Sequence, residues 1–194
     1  MPKYLLVLIA LLWGAFALIA VKWVGSSKFV DFDPNLKLSS AIMSLSFETD
    51  IVQYLPQLPS NSKGHVYHIV QGACFCETLS EGHKSALNTW ADANGLTQQS
   101  LNINEFDELK TLIPSTPAVI VVTASKELVY LGPYSEGYGC FENVGLVDAK
   151  IQPVFDTQAR LESSTTNTAQ DSYNFPKRRS QIQSEARGCY CKVK

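Results

Sequence analysis

The residues whose types and spacing suit chemistry are cysteines. Of the five in this 194-residue chain, four fall in two Cys-x-Cys pairs, Cys74-Phe75-Cys76 and Cys189-Tyr190-Cys191. Each pair follows a small residue, Ala73 or Gly188, and encloses an aromatic one. Such a concentration points to redox or metal chemistry. A thiolate is both the nucleophile of disulfide exchange and a soft ligand for Cu(I) or Zn(II). A disulfide closed within Cys74–Cys76 makes a small, strained ring, easier to reduce than a relaxed one. Cys74 is the candidate for the exposed attacking thiol and Cys76, entering the helix that follows, for the resolving one. A thiolate at a helix N-terminus is stabilised by unpaired N–H groups, which lowers its pKa below about 8.5. A structural disulfide, or two inert buried thiols, is the competing reading. The C-terminal pair either exchanges with the first at high effective concentration or completes a four-sulfur copper or zinc site of Cys74, Cys76, Cys189 and Cys191. Cys140 ends the Gly-, Tyr- and Ser-rich stretch Gly132–Cys140, where close approach to a redox partner competes with plain burial.

The rest of the composition narrows the class. The apolar fraction is 45%, 18% of residues are charged and the net charge is −2, the balance of a globular protein without a nucleic-acid surface. The basic cluster Lys177-Arg178-Arg179 reads as a solvated segment. Tyr4–Val21 is an unbroken run of 18 apolar or small residues, continued by Lys22-Trp23-Val24. About 20 such residues cross roughly 30 Å of hydrocarbon, so residues 1–24 are expected to form a transmembrane anchor, with Trp13 and Trp23 in or near the interfaces. A cleaved signal peptide competes, but the run is long for one and no small-x-small site follows. Lys22 and Lys28 on the far side blunt the positive-inside signal. The cysteine usage favours placing the soluble part outside the cytoplasm.

Stepping along the chain gives the elements that must position these cysteines. Residues 25–63, Ser-rich with Pro34, Pro56 and Pro59, read as a spacer, with a short strand at Lys28–Phe32 and a helix near Phe47–Leu55. His65–Val70 reads as a strand between Gly64 and Gly72. Leu79, His83, Ala86, Leu87 and Trp90 make one face of a helix over Glu77–Asn94, stopped by Gly95. Leu96–Ile103 reads as a strand. Asn104 is expected to cap a second helix with Glu105, Asp107 and Glu108 in its first turn, and Phe106, Leu109 and Leu112 as its buried stripe. The uninterrupted apolar run Ala118–Thr123 suits a strand covered on both faces. Leu128–Leu131 is its hairpin partner, and a last helix lies within Phe141–Phe155. From 156 to 194 polar residues dominate, and a flexible tail is expected, since little apolar surface offsets the ordering entropy.

This order resembles the thioredoxin-like superfamily over roughly residues 64–155. Two features carry the resemblance: Gly72-Ala73-Cys74-Phe75-Cys76 between a strand and a helix, and Ser115-Thr116-Pro117 just before Ala118-Val-Ile-Val-Val, with Pro117 41 residues after Cys76. The chain as a whole looks like an anchored thioredoxin-like family of gammaproteobacteria with a Cys-x-Cys motif. The resemblance implies an α/β fold, a central mixed β-sheet flanked by helices. It implies that Pro117 is a cis-proline packed against the dithiol, with Thr116 offering backbone groups to a substrate chain. It also offers His68, six residues before Cys74, for proton transfer beneath the dithiol. His65 and His83 have weaker claims. The family's usual motif has two residues between the cysteines and this chain has one.

The expected function is a membrane-anchored thiol–disulfide oxidoreductase or redox relay, single-pass in a bacterial inner membrane, acting on extracytoplasmic proteins without a cofactor. Two alternatives stand beside it: a copper or zinc metallochaperone of thioredoxin-like fold, and a non-catalytic binding module of that fold. Protein thiols and the membrane are the expected partners, nucleic acid is not.

Overall fold

Ala118-Val-Ile-Val-Val-Thr123 lacks any charged or long polar side chain, so neither of its faces can be left in water. In the computed structural model, which describes residues 3–57, 62–137, 147, 150–155 and 180–194, this segment is a fully buried strand at the centre of a sheet.

In chain order, α1 (Lys3–Lys28) leads into β1 (Val30–Asp31), α2 (Lys37–Ala41) and α3 (Phe47–Gln53). Then follow β2 (Gly64–Val70), α4 (Phe75–Leu79), α5 (Glu81–Ala93) and β3 (Thr97–Asn102). A 3-10 turn (Ile103–Glu105), α6 (Asp107–Leu112), β4 (Ser115–Thr116), β5 (Ala118–Thr123) and β6 (Leu128–Gly132) come next, and β7 (Gln181–Ile182), β8 (Arg187–Gly188) and β9 (Cys191–Lys192) close the chain. The main sheet has the order β3-β2-β5-β6-β7 and is mixed: β2 runs parallel to β3, antiparallel to β5, and β6 is antiparallel to β5 and parallel to β7. The α/β expectation with a central mixed sheet and helices therefore holds.

Strand alternation sorts the core onto two faces. Tyr67, Ile69, Ile120 and Val122 pack with Leu38, Phe47, Ile51, Leu109 and Ile113 on one face. Val66, Val119, Val121 and Tyr130 pack with Leu87 and Ala91 of α5 and with Val147, Ile151 and Phe155 on the other. Residues 150–155 are helical, which agrees with part of the last expected helix.

The stretch read as a spacer is corrected from Phe32 onward, where the chain belongs to the core. Phe32, Leu38 and Ile51 are fully buried. Its entry turn is fixed by Asp33, whose carboxylate accepts hydrogen bonds from Lys37 N at 2.7 Å, Ser39 N at 2.7 Å and Ser39 Oγ at 2.9 Å. Local side-chain capping of this kind leaves no apolar periodicity to read. The single helix expected over Glu77–Asn94 is two, broken at Ser80, whose hydroxyl donates to Glu77 O at 2.9 Å. Asn104 is not a helix cap but a residue of the 3-10 turn, and its N–H donates to the Asn102 side chain.

The largest correction concerns the tail, which over residues 180–194 is built into the fold. β7 extends the main sheet beside β6, β8 pairs with β1, and β9 pairs with β4. Ser180 Oγ donates to Glu48 Oε1 at 2.6 Å, and Tyr190 stands edge-on to Phe32 at 5.2 Å between ring centroids. A few contacts spread over three strands order a polar segment that has no stripe of its own.

Among the described residues no helix is long and apolar enough to cross a membrane. In α1 the side chains described are those of residues 4–20 and Lys22, and the large apolar ones among them are exposed.

Candidate functional site

Two short loops bring the cysteines to the end of the sheet. After β2 the chain turns through Gly72 and Ala73, both with positive φ, at 71° and 52°. Glycine accepts that region freely; alanine does so at a cost, so the turn is held by its surroundings. Glu77 holds it from the far side, its carboxylate accepting from Gln71 N at 2.6 Å, while Asn104 Nδ2 donates to Gln71 O at 3.0 Å. This clamp sets Cys74-Phe75-Cys76 at the mouth of α4.

The second loop precedes β5. Thr116–Pro117 is a cis peptide bond, as the resemblance implied for Pro117. Just before it, β4 pairs antiparallel with β9, Ser115 opposite Lys192 and Thr116 opposite Cys191, and Val193 N donates to Pro114 O at 3.0 Å. The C-terminal Cys-Tyr-Cys is thereby laid along the edge beside the cis-proline.

Here the cysteines pair across the two motifs. Cys74 is bonded to Cys191 and Cys76 to Cys189, with Cα–Cα distances of 6.1 and 5.4 Å. Neither motif closes on itself, which corrects the small-ring reading of Cys74–Cys76. The sulfurs of Cys74, Cys76 and Cys191 all lie within 4.8 Å of one another, and Cys189 is bonded into the same cluster. Cys74, Cys76 and Cys189 are buried, which corrects the expectation of an exposed Cys74; Cys191 is the half-buried member. Leu79 packs against the cluster, and Phe75, between the two domain cysteines, is 66% exposed. The tail holds its place without the sulfurs as well: Tyr190 Oη donates to Ser135 O at 2.7 Å. Ser115 Oγ and Thr116 Oγ1 are buried and have no hydrogen-bond partner among the described residues.

His68 lies on β2, on the face covered by α5, and only 1% of it is exposed. Its Nδ1 is hydrogen-bonded to the Tyr134 hydroxyl, and the two rings stack at 5.8 Å. Burial, helped by the Lys84 charge, pushes its pKa down to about 4. The Asn88 side chain opposes that shift, although neither His68 Nε2 nor Asn88 Oδ1 has a hydrogen-bond partner of normal geometry among the described residues. Burial also drives the Tyr134 hydroxyl well above its ordinary range, with Glu81 and Glu77 adding to the shift. The pair is thus a neutral imidazole and a neutral phenol near pH 7. His65 is bonded to Thr97 and Ser62, away from the cysteines in sequence and strand position. Cys140 lies outside the described residues. Two surface clefts, lined from α3 and the β5–β6 turn, include none of the cysteines.

What sequence reasoning missed is the crossed connectivity and the role of Ser135 and Tyr190 in seating the tail. The matching small-Cys-aromatic-Cys pattern was the available signal, since two like motifs suit one shared site.

The molecule is thus a mixed α/β protein whose C-terminal segment is joined to the domain by a double, crossed disulfide. The chain matches the model of DUF6436, a domain of unknown function, over residues 43–193, and it belongs to that family. No curated protein and no solved structure matches it.

Proposed function

We propose that the protein is a thiol–disulfide exchange protein working through the four-sulfur cluster. The observation that carries this reading is that both disulfides join the same two short segments, with the sulfurs of Cys74, Cys76 and Cys191 within 4.8 Å of one another. As staples they are redundant. A first bridge across a sequence separation of 117 constrains the unfolded chain by about 5 kcal/mol. With that bridge in place, the second closes a ring of only a few residues and adds about 2 kcal/mol on the same entropic account. Packed disulfides instead suit exchange, which needs a thiolate beside a second disulfide sulfur.

The half-buried Cys191 is the sulfur open to attack. An incoming thiolate bonds to Cys191 Sγ and the Cys74–Cys191 bond breaks, with its electron pair leaving on Cys74. A second thiolate of the same client then attacks the client sulfur of this mixed disulfide. The client leaves as a disulfide, and Cys191 leaves as a thiolate; two electrons have passed to the chain. Alternatively the Cys74 thiolate attacks Cys76 Sγ, forms Cys74–Cys76 and expels Cys189, which relays the opening to the second pair. Thr116 and Pro117 frame the reacting sulfur rather than reacting, and the exposed Phe75 offers a client an apolar contact.

The strand order β3-β2-β5-β6, the cysteine turn after β2 and the cis-proline before β5 support a thioredoxin-like assignment. Membrane attachment belongs to the same proposal. The run Tyr4–Val21 is apolar on every side, and Leu5, Leu8, Leu12, Phe16 and Ile19 are each 43–71% exposed on α1. A helix with no polar face is at home in lipid rather than in water. Attachment to a bacterial inner membrane with the domain outside the cytoplasm fits an oxidised cluster.

Trapping tests the exchange reading. Cys74→Ser leaves Cys191 as a half-buried free thiol, which should attack client proteins in their disulfide form and accumulate mixed disulfides, because the Cys74 thiolate that would release them is gone. Cys191→Ser leaves only the buried Cys74 and should accumulate few. A folded Cys74→Ser protein that traps nothing contradicts the reading.

A further inference from the structure

We infer that the crossed disulfides are the oxidised form of a tetrathiolate zinc site, Cys74, Cys76, Cys189 and Cys191. The inference rests on the exchange reading only in that both pairs must open while the chain stays folded.

Three observations carry it. The first is the set of donors: four sulfurs, three within 4.8 Å of one another and the fourth bonded to Cys76, supplied by two loops that approach from opposite sides. Zinc in a structural site takes four ligands tetrahedrally, with Zn–S at about 2.3 Å, which spaces the sulfurs about 3.8 Å apart. Opening the two S–S bonds from their present lengths to that spacing asks for movements of side chains within an existing cluster, not for assembly of a site.

The second is that the tail is seated by contacts other than sulfur. β9 pairs with β4, Val193 N donates to Pro114 O, β8 pairs with β1, and Tyr190 meets Ser135 and Phe32, and none of these contacts runs through a sulfur. Reduction therefore leaves four thiols held together rather than a released tail.

The third is the Thr116 hydroxyl, on the same strand face as Cys191. Thr116 is directly opposite Cys191 in the β4–β9 pair, and side chains directly opposite lie on the same face. Its Oγ1, like Ser115 Oγ, is buried and has no partner among the described residues. A donor beside a ligating thiolate is what an outer shell supplies, and it costs free energy to leave such a hydroxyl unpaired.

The conversion balances with a reductant of the dithiol class. Two dithiols give up four electrons and four protons to the two disulfides and become disulfides themselves. The four thiols then bind Zn(II) and release their four protons. In the reverse direction two disulfides of the client class take up four electrons and four protons and leave as dithiols, Cys74–Cys191 and Cys76–Cys189 re-form, and Zn(II), left without thiolates, is released.

The test uses the full-length protein in detergent, reduced with a phosphine under argon, freed of reductant and titrated with Co(II). One Co(II) per chain is expected, with thiolate charge-transfer bands and the visible bands of a tetrahedral centre, and Zn(II) should displace it. Cys191→Ser should weaken binding at least tenfold, Cys189→Ser/Cys191→Ser should abolish it, and Cys140→Ser should leave it unchanged. A reduced, folded chain that binds no Co(II), or loss of binding in Cys140→Ser alone, overturns the site. A reduced chain that still exchanges disulfides with a client but takes up no metal removes the zinc site and spares the exchange reading. Disulfides that open only when the chain unfolds remove both.

Discussion

Cys191 sits directly opposite Thr116 in the antiparallel pair of β4 and β9, and Thr116 is the residue joined to Pro117 by the cis peptide bond. That relationship ties the last residues of the chain to the edge on which the resemblance to thioredoxin-like proteins expects a substrate backbone. The tail fills that edge, and its Cys191 is bonded to Cys74 of the domain.

The tail should therefore behave as core. Tyr190 is buried, edge-on to Phe32 and bonded to Ser135. Tyr190→Phe removes one hydrogen bond and should cost about 1 kcal/mol, while Tyr190→Ala should cost about 3–5 kcal/mol by analogy with other buried aromatics. Gly188→Ala should also destabilise, because its Cβ would stand 2.8 Å from Tyr190 Oη. Denaturant unfolding of the three variants measures these differences.

The two disulfides should be strongly non-additive in their effect on stability. Removing either pair alone, as Cys74→Ala/Cys191→Ala or Cys76→Ala/Cys189→Ala, should cost about 2 kcal/mol or less, since the remaining bridge still closes the long loop. Removing both should cost about 5 kcal/mol more than removing one. Equal, additive losses would show that each bridge acts as an independent staple.

Stability should fall between neutral and mildly acid pH, and His68 should account for part of the fall. Its folded pKa is about 4 and its ordinary value 6.5, so the unfolded chain takes up the proton first. The contribution is fully present above about pH 6.5 and disappears as pH drops toward 4, at most on the order of 3 kcal/mol. His65, whose pKa burial also lowers, acts in the same direction. His68→Gln should flatten the slope between pH 7 and pH 5 in urea unfolding; an unchanged slope would place the titration elsewhere.

Much of the sheet was legible because its signals are local. The apolar run Ala118–Thr123, the strand His65–Val70 and the amphipathic face through Leu87 and Trp90 are each written in consecutive residues. Pro117 was legible only through the resemblance, which rests on Ser115-Thr116-Pro117 standing immediately before the apolar run Ala118–Thr123. The crossed pairing was not, since Cys74 and Cys191 are separated by 117 residues and meet only because β9 pairs with β4. Residues 180–194 lacked a stripe because their order comes from three different strands and one buried ring. Asp33, a buried carboxylate satisfied by backbone N–H groups, hid a folded turn inside a segment that reads as a spacer.

The central claim is that the crossed disulfides open and close in the folded protein. A redox titration of the full-length chain against a dithiol buffer, with disulfides mapped by mass spectrometry at each potential and fold followed by near-ultraviolet circular dichroism, tests it directly. The account predicts Cys74–Cys191 and Cys76–Cys189 peptides at the oxidising end, reversible opening with Cys191 modified first, and little change in the fold signal. Disulfides that resist reduction until the fold signal is lost would contradict it.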